Sequence, residues 1–452
     1  MSGPIGRQRA HLNPAAPSAG EHLNPAAHLN PAAHLNPAAH LNPAAHLEPA
    51  AHLEPAAPFG GGHWVTSWAA APQAAGPDGL PPEPFTRGGR ALAGTLRQTI
   101  RVSVGGQWLR LRLSSAFGPA LPITAVSVAL PAGGRAGVSA IRAGTSRAVT
   151  FDGRSSAVIP AGAERASDPV DFALAPGTNL TVTVYLSEGV AATGVTAHLG
   201  SRTTSHLALG NRVADADLPG AVPVEHWYLL SGLDIWSAPS TAAAVVLGDS
   251  LTDGRGSTTD GNDRWPDRLA DRLRALPGSA HVAIVNQGIG GNRVLTDGLG
   301  PHALSRIERD VLARAGVAWL LVFEGVNDIG TAGATDAAQK QVADDLTGAY
   351  ERIAGQAHAA GLRVYGATLT PFGGNPDYDD PDGLREATRR AVNDWIRGSG
   401  RFDAVVDFDR AVRDPADPGR LLPAYDTGDR LHLNPAGYRA LAGAVPARLF
   451  TR

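Results

Sequence analysis

The chain has 452 residues, more than one typical domain needs, and its 39 Lys+Arg against 42 Asp+Glu leave a net charge of -3. That balance argues against nucleic acid or an anionic membrane as the main partner. Zero cysteines exclude disulfides, thiolate nucleophiles and Cys-ligated metals. No stretch approaches the roughly 18 apolar residues of a membrane span. The opening residues, Met1 to Arg9, carry basic side chains with no apolar run after them, so no export signal is expected in this chain.

Residues 11 to 57 repeat a hexapeptide. His-Leu-Asn-Pro-Ala-Ala begins at His11, His22, His28, His34 and His40 and becomes His-Leu-Glu-Pro-Ala-Ala at His46 and His52. A proline every sixth residue forbids a continuous helix or an inner strand, and one leucine per unit cannot make a core. Residues 1-61 are therefore expected to be a disordered tail. Seven of the 15 histidines lie in it, so weak metal binding there would be adventitious.

Between residues 62 and 240 the pattern changes to short strands. Leu109, Leu111 and Leu113 alternate with Arg110 and Arg112; Leu180, Val182, Val184 and Leu186 alternate with Thr181, Thr183 and Tyr185. Period-2 alternation predicts strands with one wet face. Further strands are expected near 95-104, 122-130, 147-151, 156-159, 168-174 and 226-236. Many short strands without a helical period predict a β-sandwich or jelly roll.

From residue 241 to the end, strand and helix alternate. Strands are expected near 243-247, 282-286, 318-323, 362-369 and 403-407, and helices near 264-276, 302-314, 335-358, 382-397 and 435-449. Trp265, Leu269 and Leu273 form one core-facing stripe; Val342, Leu346, Tyr350 and Ile353 form another. Five βα units predict an α/β, flavodoxin-like three-layer fold around a parallel sheet.

Open α/β sheets place their chemistry beyond the carboxyl ends of the strands. The first strand runs into Gly248-Asp249-Ser250-Leu251-Thr252, which makes Ser250 a candidate nucleophile. A serine hydroxyl needs a base to remove its proton and donors to hold the resulting oxyanion. The second strand ends in Asn286-Gln287-Gly288-Ile289-Gly290-Gly291, where glycines let backbone N–H groups approach a ligand. The third ends in Glu324-Gly325-Val326-Asn327-Asp328, where Asn327 could donate a side-chain N–H. The last strand leads to a loop holding Asp429 and His432, three residues apart, with Asn434 and Pro435 suited to start a helix. Of the eight histidines outside the repeat, only His432 joins a nearby upstream acid to a loop after a strand. The Gly-x-Ser-x-Gly elbow is absent, since Thr252 takes the last glycine's place.

These four blocks, in order, resemble the SGNH/GDSL hydrolase family over roughly residues 243 to 450. The resemblance implies Ser250, Asp429 and His432 as catalytic residues. It implies an oxyanion hole from Ser250 and Gly291 N–H and the Asn327 side chain, family spacing favouring Gly291 over Gly290. Asp249 is expected to hold the loop. Trp64 to Pro72, Arg97 to Arg101 and Arg264 to Asp267 resemble a two-domain bacterial subgroup similar to arylesterase/acylhydrolases associated with xylan degradation. The expected organisation is thus a tail (1-61), a β-sandwich accessory domain (62-240) and an SGNH/GDSL catalytic domain (241-452). The β domain either binds carbohydrate or packs beside the site and shapes it, and the second role is preferred.

The expected activity is hydrolysis of carboxylic esters (short acyl, acetyl or aryl) through an acyl-enzyme, with neither cofactor nor metal. The expected partner is a small or polysaccharide-linked ester, not nucleic acid, and no integral membrane segment is foreseen. A non-catalytic carbohydrate-binding protein with a degenerate hydrolase domain is one alternative; an acyltransferase using the same site is another. An extracellular location is suggested by the family resemblance only.

Overall fold

A computed structural model describes residues 61–451; the hexapeptide tail and any metal binding by its histidines lie outside them. The N-terminal part is built from antiparallel sheets. One joins His63–Ala69, Leu230–Ser237, Gly106–Ser114 and Glu164–Ala166, with Val170–Leu174 also pairing on Gly106–Ser114. A six-stranded sheet runs Val222–Val224, Ser205–Ala208, Gly94–Arg101, Asn179–Leu186, Ala125–Ala129, Arg147–Val149. The two leucine-rich rows found in the sequence, 109/111/113 and 180/182/184/186, fall in one fully buried apolar cluster.

The polar rows between them are not wet. Arg110, Thr181 and Thr183 are as buried as the leucines. On the first sheet the Asp234 carboxylate accepts from Arg110 Nε (2.8 Å), Arg112 Nε (2.8 Å) and Thr66 Oγ1 (2.7 Å). Glu164 pairs with Arg112 (3.3 Å) and with Arg314 of the C-terminal part (3.0 Å). On the second sheet, loops fold over the polar face, and buried Arg97 donates to Thr183 Oγ1 (3.0 Å), Ser139 O (2.6 Å) and Asp215 O (2.7 Å). The alternation is real, but Arg110, Arg112 and Thr183 on its polar face meet protein partners instead of water, while the buried Thr181 hydroxyl makes no hydrogen bond among the described residues.

The C-terminal part holds five parallel strands in the order Val282–Gly288, Ala242–Gly248, Val317–Phe323, Arg363–Ala367, Ala404–Val406. In chain order this is 2-1-3-4-5, the flavodoxin-like arrangement, with its switch point beside the first strand. Trp265, Leu269 and Leu273 in helix Trp265–Arg274, and Leu346, Tyr350 and Ile353 in helix Asp336–Ala359, are buried on the covering faces. Helix Ala303–Ile307 widens into a π turn over Glu308–Leu312. The last helix, expected to reach 449, ends at Ala444 because Pro446 cannot continue it; a 3-10 turn, Ala447–Phe450, follows.

Val65, Ala69 and Val104 belong to the buried cluster around the parallel sheet, so both parts share a core. Thr66 N donates to Ala315 O (2.9 Å) and Ile284 N to Ser103 Oγ (3.2 Å) across this seam. Among the described residues no helix is long and apolar enough to cross a membrane.

Candidate active site

Strand Ala242–Gly248 turns directly into a one-turn helix, Ser250–Asp253, that sequence periodicity is too short to reveal. A Cβ on Gly248 would collide with Thr252, so only glycine permits so sharp a turn. Asp249 caps the helix by accepting from Leu251 N (2.9 Å). Ser250 is thereby held at the switch-point crevice, almost buried, with its N–H making no hydrogen bond among the described residues.

Ser250 Oγ lies 2.9 Å from His432 Nε2, and His432 Nδ1 lies 2.6 Å from Asp429 Oδ2. Asp429 Oδ1 also accepts from His432 N (2.8 Å) and Leu431 N (3.0 Å), so one carboxylate orients both the ring and its backbone. Arg430, between them, adopts a left-handed φ of 63°, which bends the loop around the carboxylate. Beyond it, Asn434 accepts from Ala436 N (2.9 Å) and Gly437 N (3.1 Å), with Pro435 opening the helix.

A carboxylate can only accept, so Nδ1 carries the proton and Nε2 is free to take one from Ser250. Burial lowers the His432 pKa, outweighing the upward pull of Asp429, and Arg255 and Arg202 reinforce the shift. Burial alone would raise Asp429, but hydrogen bonds from the His432 backbone and ring bring it down to about 2.

Gly291 adopts φ 69°, and neither Gly290 N nor Gly291 N donates to another group among the described residues. Asn327 sits in the one-turn helix Val326–Thr331, donating from Nδ2 to Asn292 O (2.7 Å) and accepting at Oδ1 from Tyr378 OH (2.6 Å). Of the five expected site residues, Ser250, His432 and Asp429 are joined by hydrogen bonds, while Gly291 and Asn327 lie in the segments that follow the second and third strands.

Several supporting residues escaped the sequence reading. The Arg306 guanidinium, 1% exposed, donates to Gln287 O (2.7 Å), Gly248 O (3.2 Å) and Asn292 Oδ1 (2.8 Å), and pairs with Asp310 (3.2 Å) and Glu324 (3.5 Å). It ties together the ends of two strands and the glycine loop. Its signal was present: Arg306 and Asp310 lie four apart on the same helical stripe as Ala303, Ile307 and Val311. Asp328 accepts from Val294 N (2.9 Å) and Leu295 N (3.0 Å). Burial raises Asp249 to about 7 and Asp328 to about 6, and lifts Glu324 well above the usual carboxylate range. From the N-terminal part, His198 Nε2 meets Asp253 Oδ1 at 2.9 Å, both buried, and no local sequence signal marks this pair. Among the described residues no group of three or more His, Asp or Glu side chains is placed to hold a metal.

Residues 246–440 match the model of the GDSL-like lipase/acylhydrolase family. This part of the chain is a GDSL-like acylhydrolase domain. Its class is that of a carboxylic ester hydrolase. Solved structures similar to it include a GDSL-like lipase from Bacteroides thetaiotaomicron, at 19% identity over 45% of this chain and 84% of that one, with a TM-score of 0.33. Another is a catalytic mutant of an acetylxylan esterase from Geobacillus stearothermophilus, at 21% identity over 45% of this chain and 91% of that one, with a TM-score of 0.34. No curated protein matches the sequence. In the acylhydrolase domain, Gly248 to Thr252, Gly291, Asn327, Asp429 and His432 all fall within the matched span.

Proposed function

We propose that the chain is a serine esterase that hydrolyses carboxylic esters of short acyl groups, acetyl or aryl esters among them, through an acyl-enzyme. The observation that carries this reading is the hydrogen-bonded chain Ser250–His432–Asp429, at 2.9 and 2.6 Å, at the switch point of the sheet. His432 Nε2 takes the Ser250 hydroxyl proton as Oγ bonds to the ester carbonyl carbon, and the carbonyl π pair moves onto oxygen. Ser250 N, Gly291 N and Asn327 Nδ2 receive that oxyanion. Its collapse breaks the ester C–O bond, and the departing alkoxide takes the proton from His432. Water then attacks the acyl carbon as His432 accepts its proton. Ser250 Oγ leaves, recovers that proton, and the acid is released. Asp429, with its pKa near 2, stays ionised and stabilises the imidazolium between the two transfers.

Residues 62–240 are read as a β-sandwich accessory domain whose role is to pack beside the catalytic domain of 241–452. The buried His198–Asp253 contact supports that role, because it joins the first region to the helix bearing Ser250. The test is hydrolysis of p-nitrophenyl acetate by purified Ser250→Ala, which is expected to lose the covalent route and nearly all turnover. Wild-type rates from that variant would sink the assignment. A panel of acetylated sugars, aryl acetates and longer-chain esters, run with added alcohols, defines the acyl group and the acceptor.

A further inference from the structure

We propose that Tyr378 is a positioning residue whose hydroxyl fixes the carboxamide plane of Asn327, the side-chain oxyanion donor in the esterase reading on which this inference rests. The terminal torsion of an asparagine is broad, so a fixed Cα alone does not aim the amide. Here both ends are held. Asn292 O, 2.7 Å from Nδ2, can only accept, so the nitrogen faces it. Asn327 Oδ1 can only accept, so the Tyr378 hydroxyl, 2.6 Å away, donates to it. One N–H of Nδ2 then remains uncommitted, in a plane set at both ends. The bond to Oδ1 also draws electron density from the nitrogen, which makes that remaining N–H a stronger donor.

Tyr378 is itself well fixed. Its ring fills the space over Gly330, where a Cβ would collide with it, and meets Phe372 edge-to-face with centroids 6.2 Å apart. Its backbone N–H donates to Asn375 Oδ1 (2.9 Å), while Asn375 Nδ2 donates to Asp429 O (2.7 Å). One loop, between strand Arg363–Ala367 and helix Leu384–Gly398, therefore joins the acid beside His432 to the oxyanion donor on another strand end. Burial pushes the Tyr378 phenol up to about 12, so the hydroxyl keeps its proton across the working range.

Tyr378→Phe retains the ring and removes only the hydroxyl. With p-nitrophenyl acetate, kcat is expected to fall about tenfold, less than the 10²–10³ typical of losing a donor outright, with KM and melting temperature little changed. The acid limb of the pH profile stays in place, because Tyr378 does not touch His432. In an Asn327→Ala background, Tyr378→Phe is expected to change kcat less than about twofold, since its target is gone. Wild-type kcat in Tyr378→Phe, or the same tenfold loss in the Asn327→Ala background, overturns the positioning role. Wild-type turnover in Ser250→Ala or Asn327→Ala overturns the esterase site itself, a separate and recognisable failure.

Discussion

Replacing His198 with alanine probes the joint between the antiparallel region and the helix that starts at Ser250. His198 Nδ1 donates to Ala71 O (3.0 Å), Nε2 meets Asp253 Oδ1 (2.9 Å), and the ring stacks on Trp227 with centroids 5.7 Å apart. The two side chains are only 6% and 3% exposed, so truncating one leaves a buried carboxyl group without its partner. Breaking such a pair costs about 3–5 kcal/mol. With an unfolding entropy of about 2.1 cal/mol/K per residue over residues 61–451, that corresponds to a melting-temperature drop of ~4–6 °C.

Activity should fall as well. Asp253 closes the helix that starts at Ser250, and its Oδ2 lies against Gly290, where a Cβ would sit 3.3 Å from it. Calorimetry of His198→Ala, Asp253→Ala and the double variant, with p-nitrophenyl acetate rates for each, tests both effects. The double variant removes the stranded carboxyl group, so its destabilisation should be less than the sum of the singles by about 0.5–3 kcal/mol. A His198→Ala melting temperature within about 1 °C of wild type, or strictly additive singles, would refute the reasoning.

As the proposed base, His432 must be neutral to act, and burial lowers its pKa, so kcat/KM should fall on the acid side with a midpoint below the ordinary imidazole value of about 6.5. A midpoint above 7 contradicts this. Asp249, raised by burial to about 7 from its ordinary value near 4, binds its proton more tightly in the folded state. Stability from that group is full below about pH 4 and is lost as pH rises through about 7, a difference of ~4 kcal/mol. Asp249→Asn keeps a cap acceptor without the charge, so its melting temperature should decline less between pH 4 and 8; parallel curves for variant and wild type would count against the shift. Deleting residues 1–57, which hold none of the site residues, should leave kcat and KM for p-nitrophenyl acetate unchanged. A loss of activity would give the repeat a role that its composition does not suggest.

The parallel sheet was legible because its strands are buried on both faces and so read as unbroken apolar runs, such as 243–247 and 319–323. Ser250, His432 and Asp429, the proposed nucleophile, base and acid, could be singled out because each lies within a few residues of a strand end or helix cap, where local signals cluster. The one-turn helices Ser250–Asp253, Val326–Thr331 and Phe408–Val412 are shorter than two helical periods and leave no pattern to detect. Arg110 and Thr183 misled for another reason. A buried polar residue with a distant partner has the same alternation as a solvated one, and only the fold reveals that Asp234 or Arg97 waits opposite. Tyr378 and Asn375 sit in a Gly-, Pro- and Asp-rich loop whose composition announces a turn but not the residues it reaches, 51 and 54 positions away.

The contacts across the seam argue that the antiparallel region is part of the site's construction instead of a neighbour to it. His198 meets Asp253 at the end of the helix that starts at Ser250. The Gln73 side chain donates to Leu299 O, and Leu299 in turn lies against Gly291, where a Cβ would run into it. Arg309 reaches back to Pro72 O (3.2 Å), next to Asp310, which partners Arg306 beneath the glycine loop. Each contact thus ends at, or one step from, a segment bearing Ser250 or Gly291. A carbohydrate-binding module on a tether would have no need of such targets. Support for the geometry of an oxyanion hole would, because sub-ångström placement of donors decides turnover.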